Sequence, residues 1–383
     1  MVQQAAAWRL TSCSQPAQEN PLLARMTEFW FNHFNVFSGK GLDRMLMASY
    51  EREAIRPFVL GRFRDLLGAT ARHPAMLFYL DNWLSSAPGS RSGGRASGLN
   101  ENYARELMEL HTLGVAGGYT QRDVTELARI FTGWSLRQQA GLDAPGGRIF
   151  RFEPRRHDAG AKQWLGHAVA PGGQAEGEWA LDVLAAHPAT ARHVSRKLAQ
   201  LFVADEPPAA LVERLAGRFA ESQGDIAAVL GQLFDSPEFR DPEARAPKFK
   251  TPYRYLVSAL RAAGQPVANA QPLLAALTQL GMPLYGCATP DGYKNTQAAW
   301  LSPDAMTRRL SLATAFATGR LLRPRPADYA DSAVPAEPAL PDAAALLAAL
   351  GPAISSRTRA VVAQSEPGLQ AALVLGSPDF MHH

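Results

Sequence analysis

The stretch Asn20-Pro21-Leu22-Leu23-Ala24-Arg25-Met26-Thr27-Glu28-Phe29-Trp30-Phe31-Asn32-His33-Phe34-Asn35-Val36-Phe37 decides the fold class. Asn20 offers a side-chain oxygen to the first unpaired amides of a helix, and Pro21 has the fixed φ that suits a first turn. From there Leu22, Leu23, Met26, Phe29, Trp30, His33, Phe34 and Phe37 recur at helical spacing. A helix that is apolar around most of its circumference needs partners on nearly every side. The spacing therefore predicts a central helix in a mainly α protein.

The signals on either side agree. A second helix fits 42–55, a third runs from Pro57 to about Arg72, and a fourth covers Ala75 to Trp83 after Pro74. Thr120 with Asp123 resembles a capping box with a shorter acid, and Val124, Leu127, Ala128 and Phe131 give the following helix its buried stripe. Helices resume at about 176–186, 188–203, 208–221 and 225–235, and others follow Thr251-Pro252, Gln271-Pro272 and Ser302-Pro303. The one persuasive β signal is Arg148-Ile149-Phe150-Arg151-Phe152, which alternates, with Trp164-Leu165-Gly166 expected to return as its partner. The expectation is a mainly α, multi-helix domain with one small β-hairpin near 148–166. A loose arm is expected over 1–18 and a main helical domain over 19–321. That domain would carry a mobile, glycine-rich loop at 85–98 and a hairpin insertion at 135–175. A Pro- and Ala-rich linker over 322–341 would lead to a helical segment, 342–383, packed on the main domain.

Composition removes several classes of function. The chain has 383 residues, 46% of them hydrophobic and 19% charged, which suits a protein able to bury a core. Its net charge of +4 is spread along the chain, with no basic stripe interleaved with aromatics, so no nucleic-acid partner is expected. Cys13 and Cys287 leave a single disulfide open and form no C-x-x-C pattern. No apolar run reaches the roughly 18 residues that would span a bilayer. The start, Met1 to Trp8, has no charged segment followed by an apolar core, so no signal peptide is read in this chain. Nucleotide-binding glycine loops and the G-x-S-x-G elbow are absent from the sequence.

Chemistry concentrates in Leu99-Asn100-Glu101-Asn102-Tyr103-Ala104-Arg105-Glu106-Leu107-Met108-Glu109-Leu110-His111-Thr112-Leu113-Gly114. Residues three or four apart share a helix face, so Asn102, Glu106 and Glu109 align, as do Glu101 and Arg105. A carboxylate and a histidine on neighbouring faces can transfer protons or bind a metal, whereas the same residues can equally make structural salt bridges. A second group is Arg155-Arg156-His157-Asp158-Ala159-Gly160-Ala161-Lys162, where an imidazole, a carboxylate and a cation meet in a loop. Its bland alternative is a turn in which Asp158 caps backbone amides. His33 reads as a core residue bonded to a carbonyl, and it would meet His111 or His157 if these helices pack together. In the loop around 282–296, Tyr285 and Tyr293 offer an aromatic wall.

Phe29 to Val36, Asn100 to Trp134 (including Gly117-Gly118-Tyr119-Thr120 and Thr132-Gly133-Trp134), Phe150 to Lys162, Lys248 to Pro252 and Pro283 to Tyr293 carry a family resemblance. On these islands the chain resembles the bacterial family called domain of unknown function 1800, over roughly residues 19 to 380. The resemblance brings no reaction with it. It implies an exported, periplasmic setting and more helical sequence at the front, so this chain is expected to start late. The leading hypothesis is an enzyme with a polar pocket acting on a small-molecule or polymer substrate, with metal-assisted hydrolysis as the class to test. Arg105, Glu106, His111, His157, Asp158 and Lys162 would be catalytic, and Asn100, Glu101, Tyr103, Tyr285 and Tyr293 would line the ligand. A divalent metal would be held by His111, His157 and Asp158. The competing hypothesis is a non-catalytic exported binding or assembly partner of another protein.

Overall fold

Capping residues start the helices where the sequence places them. In the computed structural model, which describes residues 1–15, 19–92, 95–96, 98–137, 149–241, 247–264, 267, 269–321 and 340–383, Asn20 Oδ1 accepts the amides of Leu22 at 2.9 Å and Leu23 at 3.3 Å. The helix that follows, α2 (Pro21–His33), stops short of Phe37. Its end is fixed by competition for backbone: the carbonyl of Phe34 accepts the Tyr50 hydroxyl at 2.8 Å. Thr120 and Asp123 close a capping box on α7 (Gln121–Ile130), as the sequence predicts.

By contacts, the described chain divides into two units. The first comprises Met1–Val2, Arg25–Arg245 and Cys287–Gly292. It contains α3 (Asp43–Ser49), α4 (Phe63–Arg72), α5 (Pro74–Tyr79), α6 (Asn102–Glu106) and α7. Then come α8 (Gln174–Ala186), α9 (Pro188–Phe202), α10 (Ala209–Glu221), α11 (Ile226–Asp235) and α12 (Pro237–Arg240). Its core is aromatic. Trp30, Phe34 and Phe63 are fully buried, with Trp30 and Phe63 rings 5.8 Å apart. Phe131 meets Trp134 edge-on at 4.9 Å, and Trp134 fills the space that a side chain at Gly177 would need, 2.5 Å from a Cβ there. Such rings each remove a large apolar area from water and fix the packing geometry.

The expected third helix is broken. Arg62 is extended and bridges to Asp225, so α4 begins only at Phe63, whose amide donates to the Gly224 carbonyl at 2.8 Å. The β signal is also rearranged. Among the described residues there are three two-stranded antiparallel pairs. The first joins β1 (Arg91–Ser92) to β2 (Arg95–Ala96) within the segment expected as a loop. Strand β4 (Phe150–Phe152) pairs with β3 (Trp134–Leu136), not with Trp164-Leu165-Gly166. Strand β5 (Lys162–Trp164) instead forms its own hairpin with β6 (His167–Val169) around Leu165 and Gly166, both at positive φ. Two adjacent positive-φ residues suit the twist of a tight hairpin, so the turn chemistry outcompeted the longer pairing.

The second unit comprises Gln3–Ala24, Ala246–Gly286 and Tyr293–His383. Residues of the expected loose arm form α1 (Val2–Ser14), with Leu10 and Cys13 buried in the unit's core. Arg261 holds the end of α1 by donating to the Cys13 carbonyl at 2.7 Å. The arm looked loose because its alanines and glutamines show no apolar stripe; the side chains it buries include Arg9, Ser12 and Ser14, which do not mark a core helix in sequence. The unit continues with α13 (Pro252–Ala263), α14 (Gln271–Gln279), α15 (Gln297–Trp300) and α16 (Pro303–Ala317). It ends with α17 (Ala343–Leu350), α18 (Ser356–Ala363) and α19 (Pro367–Gly376). Residues 342–383, expected to pack on a main domain ending at 321, share this core through Leu346, Val362, Val374 and Leu375. The expected linker lies outside the described residues except for Leu340 and Pro341. Cys13 and Cys287 are free thiols. No described helix is long and apolar enough to cross a membrane.

Candidate functional site

Helix α6 does not end as an α-helix. It widens into a π-helical turn, Leu107–His111, and stops at Thr112 and Gly114, the latter at φ +80°. A π turn disturbs the hydrogen-bond ladder and is frequent at functional positions. Here it turns two carbonyls outward. That of Leu110 accepts from His193 Nε2 at 3.1 Å, and that of His111 accepts from His33 Nε2 at 3.0 Å. Gly114 is required because a Cβ there would lie 2.8 Å from His193 Nδ1. Lys197 Nζ donates to His33 Nδ1 at 3.1 Å, which assigns the proton of His33 to Nε2.

Three imidazoles thus gather behind the helix, with His33 6.1 Å from both His111 and His193 by ring centres. His33 meets His111 and bonds a carbonyl, so both sequence readings of it hold together. Burial, followed by Lys197 and the neighbouring histidines, holds the His33 pKa well down. Burial, then Lys197, lowers His111 to about 3 and His193 to about 4. All three are neutral near pH 7. His111, expected as an acid–base residue, is 1% exposed, and its Nε2 has no hydrogen-bond partner among the described residues.

The opposite side of the same turn is acidic. Glu106 is half-buried, and its carboxyl is held above the usual range by burial, then by Glu109, with Arg105 opposing and Asp291 adding. Asp291 reaches this place from far along the chain. Asn35 Nδ2 donates to the carbonyls of Cys287 at 3.0 Å and Thr289 at 2.8 Å, and Tyr79 Oη donates to that of Ala288 at 2.8 Å. Gly292 closes the loop at φ +68°, where a Cβ would lie 2.3 Å from the Asn32 carbonyl. The Tyr79 phenol is pushed up by burial, then by Cys287, Glu106, Asp43 and Asp291. Tyr119 is pushed up by burial, then by Glu109, to which it is hydrogen-bonded. Glu106, Glu109 and Asp291 thus act on one another electrostatically, with the Tyr79 and Tyr119 phenols coupled to them.

The remaining expected site residues have other occupations. Glu176 Oε2 accepts Lys162 Nζ at 2.7 Å, and Oε1 accepts His157 Nε2 at 3.0 Å and the Gly172 amide at 2.9 Å. Lys162 also donates to the carbonyls of Asp158 and of Gly160, the latter at 3.1 Å, so its three protons are committed. Burial would raise the Glu176 pKa, but the bonds from Lys162, Gly172 and His157 hold it low. His157 Nδ1 faces the Thr132 carbonyl at 2.9 Å, and Asp158 is paired with Arg129 Nε at 2.7 Å. This is a closed structural brace, not the catalytic loop expected of His157, Asp158 and Lys162.

Arg105 binds Glu101 at 3.2 Å and Gln121 at 3.0 Å, and Glu101 also accepts Thr125 at 2.7 Å, which staples α6 to α7. Asn100 Nδ2 donates to the Asp81 carbonyl at 3.3 Å. Tyr103 is buried edge-on against Phe131 at 5.3 Å. Tyr285 and Tyr293 belong to the second unit. The Arg9 guanidinium lies 5.6 Å from the Tyr285 ring, and Tyr293 donates to the Pro283 carbonyl at 2.9 Å.

Among the described residues, no hydrogen bond or ion pair joins Asn102–His111 to His157–Lys162. Nor do any three His, Cys, Asp or Glu side chains there come together as a metal would require. The expected ligand set His111, His157 and Asp158 is not assembled among the described residues: His157 is bonded to Glu176 and Asp158 to Arg129, while His111 is buried among His33 and Phe34. Residues that sequence reasoning did not select include Asp43, Tyr79, Glu176, His193 and Lys197. Asp43 opens α3 and Tyr79 ends α5, and nothing local marked any of the five.

The family described as Protein of unknown function (DUF1800) matches residues 1–382. No curated protein and no solved structure matches the chain. The match spans both units and every motif described above, and the chain belongs to this family.

Proposed function

We propose that the chain is an acid–base hydrolase whose proton-transferring group is Glu106. One observation carries the reading: the pKa of a half-buried carboxyl is held above its ordinary range by burial and then by Glu109, with Arg105 opposing and Asp291 adding. Carboxylates that crowd one another cannot all ionise together, and such environments separate an acid from a base. Protonated Glu106 would donate to a leaving group. Asp291 or Glu109 would take a proton from water, and the Tyr79 and Tyr119 phenol oxygens would accept hydrogen bonds from a polar substrate. No metal is assigned to His111, His157 and Asp158 in this proposal. An exported location belongs to it on the family resemblance alone, and fractionation of the native host would test it.

A second reading, a non-catalytic binding protein, is favoured by the closed partners of Arg105, Asp158 and Lys162, which make much of the motif scaffolding. Chromogenic ester, glycoside, phosphate and peptide substrates distinguish the two. The hydrolase reading expects turnover of at least one class, falling by about 10²-fold or more in Glu106→Gln with the fold intact by circular dichroism. No turnover of any class, or equal turnover in the variant, removes Glu106 from the chemistry.

A further inference from the structure

A cleft in the first unit, remote in sequence from Glu106, encloses about 460 Å³. That lies within the range of roughly 300–1,000 Å³ usual for small-molecule sites. Its apolar wall is Phe219 with Ala185, Ala186 and Ala220, and its rim carries Arg62, Arg64, Asp65 and Asp182. The charges on the rim are not equivalent. Arg64 is spent: its Nε holds Asp182 at 2.5 Å and its NH2 nitrogen holds Glu178 at 3.1 Å.

Arg62 and Asp65 are not spent. Arg62 leans across to the neutral amide of Gln223 at 2.9 Å, and among the described residues it meets no carboxylate. The Asp65 carboxylate has no hydrogen bond or ion pair among the described residues. Arg62 is the extended residue just before α4, Asp65 stands in the helix's first turn, and both line the cleft. One cation and one anion, each without an ionic partner, therefore flank an apolar wall. A pure anion would satisfy Arg62 and face Asp65, and a pure cation would do the reverse.

We propose that this cleft binds a small zwitterion with an apolar side chain, a free α-amino acid. The carboxylate would sit on the Arg62 guanidinium, for which a planar two-point contact is the strong geometry. The ammonium would face Asp65, and the side chain would lie against Phe219 and the alanines. Gln223 and Gly224, the latter at φ +77°, also line the cleft.

The test is calorimetry on the full chain with L-leucine and L-phenylalanine. N-acetyl-L-leucine, which lacks the ammonium, and L-leucinamide, which lacks the carboxylate, are the matched controls. Both Arg62→Gln and Asp65→Asn change exposed side chains, and circular dichroism checks that they fold. Saturable binding is expected below about 1 mM, weakened about tenfold or more by either variant and by either blocked ligand. In Asp65→Asn, leucine and N-acetyl-leucine should bind alike. Absence of saturation up to about 10 mM overturns the proposal. So does binding that neither variant changes.

Discussion

Asp43 gives a prediction whose size follows from its surroundings. It is fully buried, and neither carboxyl oxygen has a hydrogen-bond partner among the described residues. Its neighbour Lys40 is engaged elsewhere, with Asp81 at 2.7 Å and the Tyr79 carbonyl at 2.6 Å. Burial raises the Asp43 pKa from the ordinary 3.8 to about 8, Lys40 opposing and Asp81 adding. The folded protein then keeps a proton that the unfolded chain releases near pH 4. The associated stability is fully present below that pH and is lost as pH rises towards about 8. Between pH 5 and 7 the loss is about 1.4 kcal/mol per pH unit, or about 2.7 kcal/mol in all. Asp43→Asn resembles the neutral acid and has no such dependence, while every other titrating group is shared. The variant's stability relative to wild type should therefore improve by about 2.7 kcal/mol from pH 5 to 7, whatever constant offset the amide brings. Urea unfolding at each pH, followed by fluorescence of Trp30, Trp83, Trp134, Trp164 and Trp179 in the same unit, measures it. A relative stability that does not move with pH would show Asp43 ionised at pH 5 and refute the burial argument.

Three further outcomes are expected. Glu176→Gln leaves the Lys162 ammonium, 5% exposed, without its counter-charge and should cost about 3–5 kcal/mol in urea unfolding, most of it recovered in Lys162→Met/Glu176→Leu; a cost near zero would mean the brace is not structural. Because the Glu106 pKa is raised, the folded state loses stability as pH rises from the ordinary 4.5 through the raised value, so Glu106→Gln should gain stability relative to wild type between pH 4 and 7 in urea unfolding, and a flat comparison would refute it. Lys250, 6% exposed and over the Phe380 ring at 3.8 Å, is lowered to about 7 by burial and then by Arg309; the second unit should gain about 1.4 kcal/mol per pH unit relative to Lys250→Met between about pH 7.5 and 9.5, and a flat comparison by urea unfolding would refute it.

Local chemistry was legible and long-range partnership was not. Pro21, Pro188 and Pro303 start helices at the positions their sequence indicates, because a proline at the first turn acts through neighbouring residues alone. The π turn at Leu107–His111 could not be read, since the residues that draw out its carbonyls, His33 and His193, lie far away in sequence. For the same reason the sequence shows Glu106 among neighbouring acids, whereas the loop that carries Asp291 depends on Asn35 and Tyr79, which are distant in sequence. His157, Asp158 and Lys162 were misread because their spacing is as good for a brace as for a site. Only the burial of Glu176 decides between them.

The account rests on Glu106 holding its proton more tightly than an ordinary glutamate. A carbon-13 carboxyl titration of Glu106 by NMR, in the full chain and in Asp291→Asn and Glu109→Gln, tests this directly. The predicted midpoint lies above the ordinary 4.5 and moves down towards it in both variants. A wild-type midpoint at or below 4.5, unchanged by either substitution, would contradict it.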